Sequence, residues 1–158
     1  MTLHRYTNRR GIELIKNFEG FKAIVYICPG GYPTIGFGHI ILNNENYKQI
    51  SYAKAEALLK QDIFIAEKAV LQQITTTLND NQFAALVSFT FNLGGAALQR
   101  STIRQKINYG IYEDAGPEFL RWVYAGGKIS PGLIKRRKAE YDLFLSCAHE
   151  KTAYKTYG

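Results

Sequence analysis

One stretch near the N-terminus, residues 18–39 with the sequence FEGFKAIVYICPGGYPTIGFGH, restricts the possible fold most strongly. Strand-forming residues occupy Ala23–Ile27, a Pro29–Gly31 turn follows, and a second strand-forming run covers residues 34–38. This pattern predicts a β-hairpin. Glu19 lies just before it in apolar company, and burial there favours the protonated form of a carboxyl group. General-acid catalysis requires a protonated carboxyl group, so Glu19 is a candidate general acid.

Composition and charge narrow the class of protein. The chain has 158 residues, 46% of them hydrophobic, and none of its apolar runs approaches the roughly 18 residues that suggest a membrane span. Its N-terminus lacks the apolar region and cleavage site of a signal peptide. The formal net charge of +7 favours a polyanionic partner. Nucleic acid, an anionic membrane surface and an acidic cell-wall polymer all satisfy that description, and charge does not choose among them.

The two cysteines, Cys28 and Cys147, do not have the CxxC or Cys/His spacing of zinc ligands, so we expect no metal site. Cys147 falls in an apolar helical pattern and is expected to pack, whereas Cys28 lies at the hairpin turn. Without an export signal both are expected to be free thiols, and a disulfide between them stays open.

Helical periodicity covers most of the remaining chain. It predicts helices over residues 8–18, 51–74, 81–93, 101–108, 117–124 and 132–150, with a polar, frayed tail after them. The second helix is long enough to join two lobes. The third is apolar on nearly all sides and is expected to be the buried central helix. The predicted fold class is therefore α+β, mostly helical with one small antiparallel sheet.

The hairpin also brings three reactive side chains towards one another. A chain that enters at Glu19 and turns near residues 29–31 returns Thr34 towards Glu19, with Cys28 beside the turn. One acid, one thiol and one hydroxyl then line a single cleft wall. Spacing alone, however, favours a simpler interpretation, in which these are a helix-end Glu, a turn Cys and a strand Thr without chemical roles.

The chain resembles the phage-type lysozymes, the endolysin family of muramidases, from about residue 10 to about residue 145. The resemblance is ordered along nearly the whole chain and is carried by Phe18–Gly20, Tyr26, Thr34–His39, most of Gln82–Gly94, Ser101–Thr102, Trp122, Gly132–Leu133, Arg136–Arg137 and Glu140. It implies a single lysozyme-like domain over residues 1–158. A hairpin lobe (about 18–50) and a helical lobe (about 75–150 plus the helix 8–18) would be joined by the long helix, with a cleft between them.

The resemblance implies a catalytic set of Glu19, Cys28 and Thr34. The family has Asp where this chain has Cys28, and some lysis enzymes of this type resemble it in carrying Cys there. Glu19 would protonate the leaving glycosidic oxygen. A thiolate at Cys28 would stabilise the positive charge on the sugar, assist a water or attack covalently, and each role requires a lowered thiol pKa. Thr34 would orient the water.

The implied substrate-binding residues are Tyr32, Gly38, Phe91, Asn92, Arg136 and Arg137. One of the two arginines is expected to face Glu19 or the peptide stem of the wall, and the other is expected to be a solvated charge. Two further residues are expected to be structural. These are His39, through a hydrogen bond to a nearby carboxylate, and Trp122, as part of the core.

The implied function is an endolysin that hydrolyses the β-1,4 bond between N-acetylmuramic acid and N-acetylglucosamine in peptidoglycan during host cell lysis. It would be a cofactor-free monomer, made in the host bacterial cytoplasm and given access to the wall by a membrane pore such as a holin. The alternatives are a lytic transglycosylase and a non-catalytic wall-binding protein. A nucleic-acid binder ranks last, because the basic residues are not interleaved with aromatics on one face.

Overall fold

The computed structural model describes residues 3–146, and within that range it is an α+β protein, as predicted. The helices are α1 (Arg9–Glu19), α2 (Tyr52–Gln73), α3 (Asp80–Leu93), α4 (Gly95–Arg100), α5 (Thr102–Asn108), α6 (Tyr112–Glu118) and α7 (Pro131–Leu145), with a 3-10 helix at Phe119–Arg121. The strands are β1 (Lys22–Ile27), β2 (Pro33–Gly36), β3 (His39–Ile40), β4 (Tyr124–Ala125) and β5 (Lys128–Ile129).

The predicted hairpin is formed by β1 and β2, which pair antiparallel, and β3 extends the sheet on the other side of β2. The Gly31 N–H donates to the Cys28 carbonyl at 2.8 Å and closes the turn. Gly31 has a φ of 85°, a conformation that residues with a Cβ rarely adopt. The register places Tyr26 opposite Thr34.

Helix α2 connects this sheet to the helical part of the protein. Ser51 caps it, accepting a hydrogen bond from the Lys54 N–H at 3.1 Å. Most of the predicted apolar face is buried, namely Ala55, Leu58, Leu59, Ile63, Ala66 and Val70. The helix packs on β2, α3 and α4. It ends just before Thr75–Thr77, where β-branched residues disfavour further helix.

Helix α3 is the centre of the helical core. An Asn79–Gln82 capping box starts it, and nine of its residues are buried. Helices α1, α2, α4 and α7 all pack on α3. The buried face of α7 therefore lies against α3, and this contact brings Arg136, Arg137 and Glu140 into the interior.

Two local predictions are wrong. Residues 117–124 do not form a separate helix, because Pro117 lies near the end of α6 and the chain continues into the 3-10 helix. Here the Phe119 and Trp122 rings pack edge-on against Phe89, and these contacts set the course of the chain. A second small sheet then forms, because Gly126–Gly127, both at positive φ, make a two-residue hairpin turn between β4 and β5. The sequence pattern also predicts neither α4 nor residues 112–116 of α6.

The predicted last helix begins at Pro131 and ends at Leu145, with its remaining predicted residues partly beyond the described range. The predictions for Cys147 and for the tail after residue 150 lie outside the described residues. Across residues 3–146 no helix combines the length and the apolar character needed to cross a membrane.

Candidate active site

A cleft of about 600 Å³ lies between the β1–β3 sheet, α2 and the C-terminal end of α3. Four of the predicted site residues line it, namely Glu19, Gly38, Phe91 and Asn92. The sheet and α1 contribute the first two, and the end of α3 contributes the others. The remaining wall is largely apolar, with side chains from α2 and from the segment after β3.

Glu19 is the last residue of α1, and Gly20 ends the helix at a φ of 70°. Its Oε1 accepts a hydrogen bond from Arg136 Nη1 at 2.6 Å. The Glu19 side chain is 22% exposed and that of Arg136 is 5% exposed, so the ion pair lies at the base of the cleft. A buried guanidinium is therefore the direct partner of the carboxylate, in addition to the apolar neighbours expected from the sequence.

Gly38 leaves room for this carboxylate. Its φ is 78°, and a Cβ at this position would lie 2.8 Å from Glu19 Oε2. That distance is shorter than any ordinary contact. Whatever Gly38 contributes to substrate binding, its lack of a side chain is what allows the Glu19 carboxylate to occupy its position.

Cys28 and Thr34 lie together on the hairpin. A hydrogen bond from the Thr34 side chain lowers the pKa of the Cys28 thiol, and the backbone N–H of Tyr32 adds to the effect. The buried Thr34 hydroxyl is also 2.8 Å from the Tyr32 carbonyl. Because a hydroxyl has one hydrogen, it donates either to that carbonyl or to the sulfur. Thiolate formation favours the sulfur. Tyr32 itself is exposed at the tip of the hairpin.

Tyr26 lies near the candidate catalytic groups, although the sequence pattern does not predict it as a site residue. It lies opposite Thr34 on β1, and Lys22 Nζ is 4.9 Å from its ring centre. Burial raises the pKa of Tyr26, and the negative charges of Glu19 and Cys28 raise it further. Tyr26 is therefore within electrostatic reach of both candidate catalytic groups. Its presence among the residues carrying the family resemblance was the available signal.

The two arginines have different surroundings from those expected. Arg136 faces Glu19, as expected for one of them, but the expectation of a solvated charge is wrong for Arg137, which is fully buried. Its Nη2 donates to Asn92 Oδ1 at 2.7 Å, and its Nε lies 2.7 Å from Glu140 Oε1. Burial lowers the pKa of Arg137 to about 10, so it stays charged at neutral pH. No surface remains for Arg137 to contact a substrate.

His39 makes the carboxylate contact expected from the sequence, and it also lines the cleft. Its Nδ1 lies 2.8 Å from Asp62 Oδ2 and its Nε2 lies 2.9 Å from Glu45 Oε1. Burial works to lower the pKa of His39, and the two carboxylates outweigh it, so the pKa is raised. The imidazolium thereby connects β3 to the following loop and to α2. Burial works to raise the pKa of Glu45, but the Leu42 N–H and the His39 contact outweigh it, so that pKa is lowered. Burial raises the pKa of Asp62.

A carboxylate at the end of the first helix, facing a cleft between a small sheet and a helical body, is the arrangement of a lysozyme-like glycoside hydrolase. The family described as Phage lysozyme matches residues 16–140, and the chain belongs to this family.

Two relatives of this chain are phage endolysins. The endolysin of Bacillus phage B103 is 40% identical over 141 residues, which are 88% of this chain and 54% of that protein. The endolysin of Acyrthosiphon pisum secondary endosymbiont phage 1 is 40% identical over 146 residues, covering 89% of this chain and 99% of that protein. The chain thus spans about half of the first relative's length and nearly all of the second's.

A solved structure agrees with the fold. The muramidase domain of SpmX from Asticaccaulis excentricus superimposes with a TM-score of 0.83 at 34% identity, covering 90% of this chain and 99% of that one. The predictions of the phage-type lysozyme family, of the lysozyme-like fold and of a cell-wall-lytic glycoside hydrolase are thereby confirmed. The roles of individual site residues stay predictions.

The close approach of Gly38 to Glu19 gives a first test. We expect Gly38→Ala to lower activity roughly 100-fold, because the new methyl group displaces the carboxylate from its productive position. The matched control is Gly110→Ala, since Gly110 has a φ of 79° and open space where its Cβ would lie. Both variants carry the same backbone strain, and only the first is expected to lose lytic activity. Equal activity in the two folded variants would contradict this role for Gly38.

The His39 contacts predict a pH-dependent stability. The pKa of His39 in the folded protein is raised above 6.5. Its contribution to the free energy of unfolding is therefore complete below that pH and is lost as pH rises through the folded pKa. Glu45 contributes to the free energy of unfolding above pH 4.5, and this contribution is lost as pH falls through its lowered folded pKa.

His39→Asn should therefore reduce the free energy of unfolding most between about pH 4.5 and pH 6.5, by roughly 1–2 kcal/mol, and less at higher pH. Urea unfolding across this range measures the difference. Lys138→Gln, which removes an exposed ion pair with Asp142, is the control and should give a nearly constant difference. A His39→Asn difference that grows with pH would refute this assignment.

Proposed function

We propose that this chain is an endolysin that hydrolyses the β-1,4 bond between N-acetylmuramic acid and N-acetylglucosamine in bacterial peptidoglycan, leading to host cell lysis. The observation that carries the proposal is the Glu19 carboxyl group, held at the base of the cleft by Arg136 and accommodated by Gly38. Its position matches the acid that the family resemblance implies.

In this mechanism Glu19 gives its proton to the leaving glycosidic oxygen. The C–O bond breaks, its electron pair stays with that oxygen, and oxocarbenium-like positive charge develops on the sugar ring. Arg136 fixes the direction in which the Glu19 oxygens point. The ring charge requires a nucleophile or a negative group on the other side of the bond.

Cys28 and Thr34 provide that second group. The hydrogen bonds that lower the pKa of Cys28 favour the thiolate, which either attacks the sugar carbon or accepts the proton of an attacking water. In the first route a C–S bond forms and water later displaces it, giving its proton to Glu19. The first route retains the anomeric configuration and the second inverts it, so NMR of the initial product distinguishes them.

Asn92 and Phe91 form the substrate-binding part of the cleft in this proposal. Asn92 Oδ1 is occupied by Arg137, so the amide NH₂ is the part of the side chain available to the cleft. It suits an acceptor such as the carbonyl oxygen of an N-acetyl group. Phe91 supplies an apolar surface for a sugar face, and Tyr32 at the exposed hairpin tip supplies a further aromatic contact.

The cellular setting follows from the same proposal. The formal charge of +7 suits an anionic wall polymer. The enzyme would act as a monomer, accumulate in the host cytoplasm and reach the wall once a holin or similar pore opens the membrane.

The first test is Glu19→Gln. We expect purified peptidoglycan to be cleaved at least about 100-fold more slowly, because the amide has no proton to give at neutral pH. Glu13→Gln is the matched control, since Glu13 lies exposed on the same helix. Mass spectrometry of the fragments should show reducing ends. Anhydro ends would indicate a transglycosylase, and unchanged cleavage by Glu19→Gln would exclude this mechanism.

The second test concerns Cys28. We expect Cys28→Ser to lose most activity because a serine hydroxyl stays neutral, and Cys28→Asp to keep a larger share because it restores a negative charge. Initial rates on peptidoglycan, measured with folded variants, give the ranking. If Cys28→Ser retains the full rate, the thiol has no chemical role. Wall binding by the wild type without any cleavage would instead support a non-catalytic protein.

A further inference from the structure

Glu140 is a fully buried carboxylate that the proposed mechanism does not use. The Ser88 hydroxyl donates to its Oε2 at 2.6 Å. Arg136 Nε lies 3.5 Å from the same oxygen, and Arg137 Nε lies 2.7 Å from Oε1. Because Arg136 and Arg137 precede it by four and three residues, all three share one side of α7.

The charge of Glu140 balances these neighbours. Burial raises the pKa of Glu140, and the two guanidinium groups oppose that shift. If Glu140 were neutral, Arg137 would lose its ionised partner and Arg136 would keep Glu19 alone. A buried charge without a partner is strongly unfavourable, so the arrangement favours ionised Glu140. The cluster then has two positive and two negative side chains.

Each arginine also donates to a residue of the cleft, and Arg137 Nη2 contacts Glu140 Oε2 at 3.3 Å as well. Arg136 reaches Glu19 and Arg137 reaches Asn92. We propose that Glu140 is a positioning residue, which orients both arginines and through them sets the direction of the Glu19 carboxyl group and of the Asn92 amide. This inference rests on the proposed function, in which Glu19 is the acid.

The cluster also makes a specific electrostatic prediction. Glu19 faces Arg136 from α7 and Tyr26 from β1, and it shares its cleft with His39 and Asp62. Arg136 interacts with two carboxylates, those of Glu19 and Glu140. Without the Glu140 charge, Arg136 would act more strongly on Glu19 and favour its ionised form. Loss of the proton would then occur at lower pH.

The test compares three variants with the wild type. Glu140→Gln keeps the shape and removes the charge. Ser88→Ala removes one hydrogen bond to Glu140 and retains the Ser88 carbonyl, which accepts from Arg136 Nη2 at 3.4 Å. Asp142→Asn is the matched control, because it removes the same charge from an exposed pair on the same helix. Folding is checked by circular dichroism and thermal melting. The readouts are kcat and KM on peptidoglycan fragments, the pH–activity profile, and the titration of the Glu19 carboxyl carbon by NMR.

We expect Glu140→Gln to lower kcat roughly tenfold to 100-fold, as outer residues that orient a reacting group do. The alkaline limb of its activity profile and the Glu19 titration midpoint should both move to lower pH. Ser88→Ala should give smaller changes, and Asp142→Asn should match the wild type. KM should rise in Glu140→Gln through the loosened Asn92.

The proposal would be overturned by a folded Glu140→Gln variant in which kcat, the alkaline limb of the activity profile and the Glu19 titration midpoint are all unchanged. If that variant does not fold, Ser88→Ala decides, and an unchanged profile and midpoint in it would overturn the proposal equally. A midpoint that moves while the wild type cleaves no glycan would support Glu140 as the residue that sets Glu19 and refute the proposed function instead. The two failures are therefore separable.

Discussion

The ion pair between Glu19 and Arg136 is the interaction on which the rest of the site depends. It joins the end of the first helix to the last helix, across 117 positions of sequence. A carboxylate at a helix end near open solvent has many rotamers, and a 2.6 Å contact to a buried guanidinium restricts it to few. The Glu19 carboxyl group thus has a fixed direction only if α7 packs correctly on α3.

This ion pair also creates a conflict with the chemistry. A guanidinium partner favours the ionised carboxylate, whereas a general acid needs its proton when the glycosidic bond breaks. In the structure, Arg136 is not paired with Glu19 alone. Its Nε also lies 3.5 Å from the ionised Glu140, and Arg137 competes for that second carboxylate. Arg136 therefore orients Glu19 while it also contacts a second carboxylate.

Local chemistry in the sequence was sufficient for some of this structure and insufficient for the rest. The hairpin and α2 follow from turn residues, a serine cap and helical periodicity, all of which act between near neighbours. The course of residues 117–129 does not follow from near neighbours, because it depends on the packing of Phe119 and Trp122 against Phe89 in another helix. Arg137 shows the same limit at the site. A run of basic residues in a sequence is typical of a solvated surface. The burial of Arg137 is explained by its contact with Glu140, which Ser88 also holds, and this contact depends on the tertiary fold.

The candidate catalytic groups are held by two separate electrostatic clusters. Glu19 depends on the α7 arginines, whereas Cys28 and Thr34 belong to a sheet that packs on α2 and is joined to it through His39 and Asp62. The two clusters respond differently to pH. Arginine stays charged across the physiological range, but the imidazolium loses its proton as pH rises through the raised pKa of His39. Rising pH therefore weakens the attachment of the sheet while Arg136 keeps its charge. The pH dependence of this site therefore enters through the attachment of the sheet to α2, on the side that carries Cys28 and Thr34.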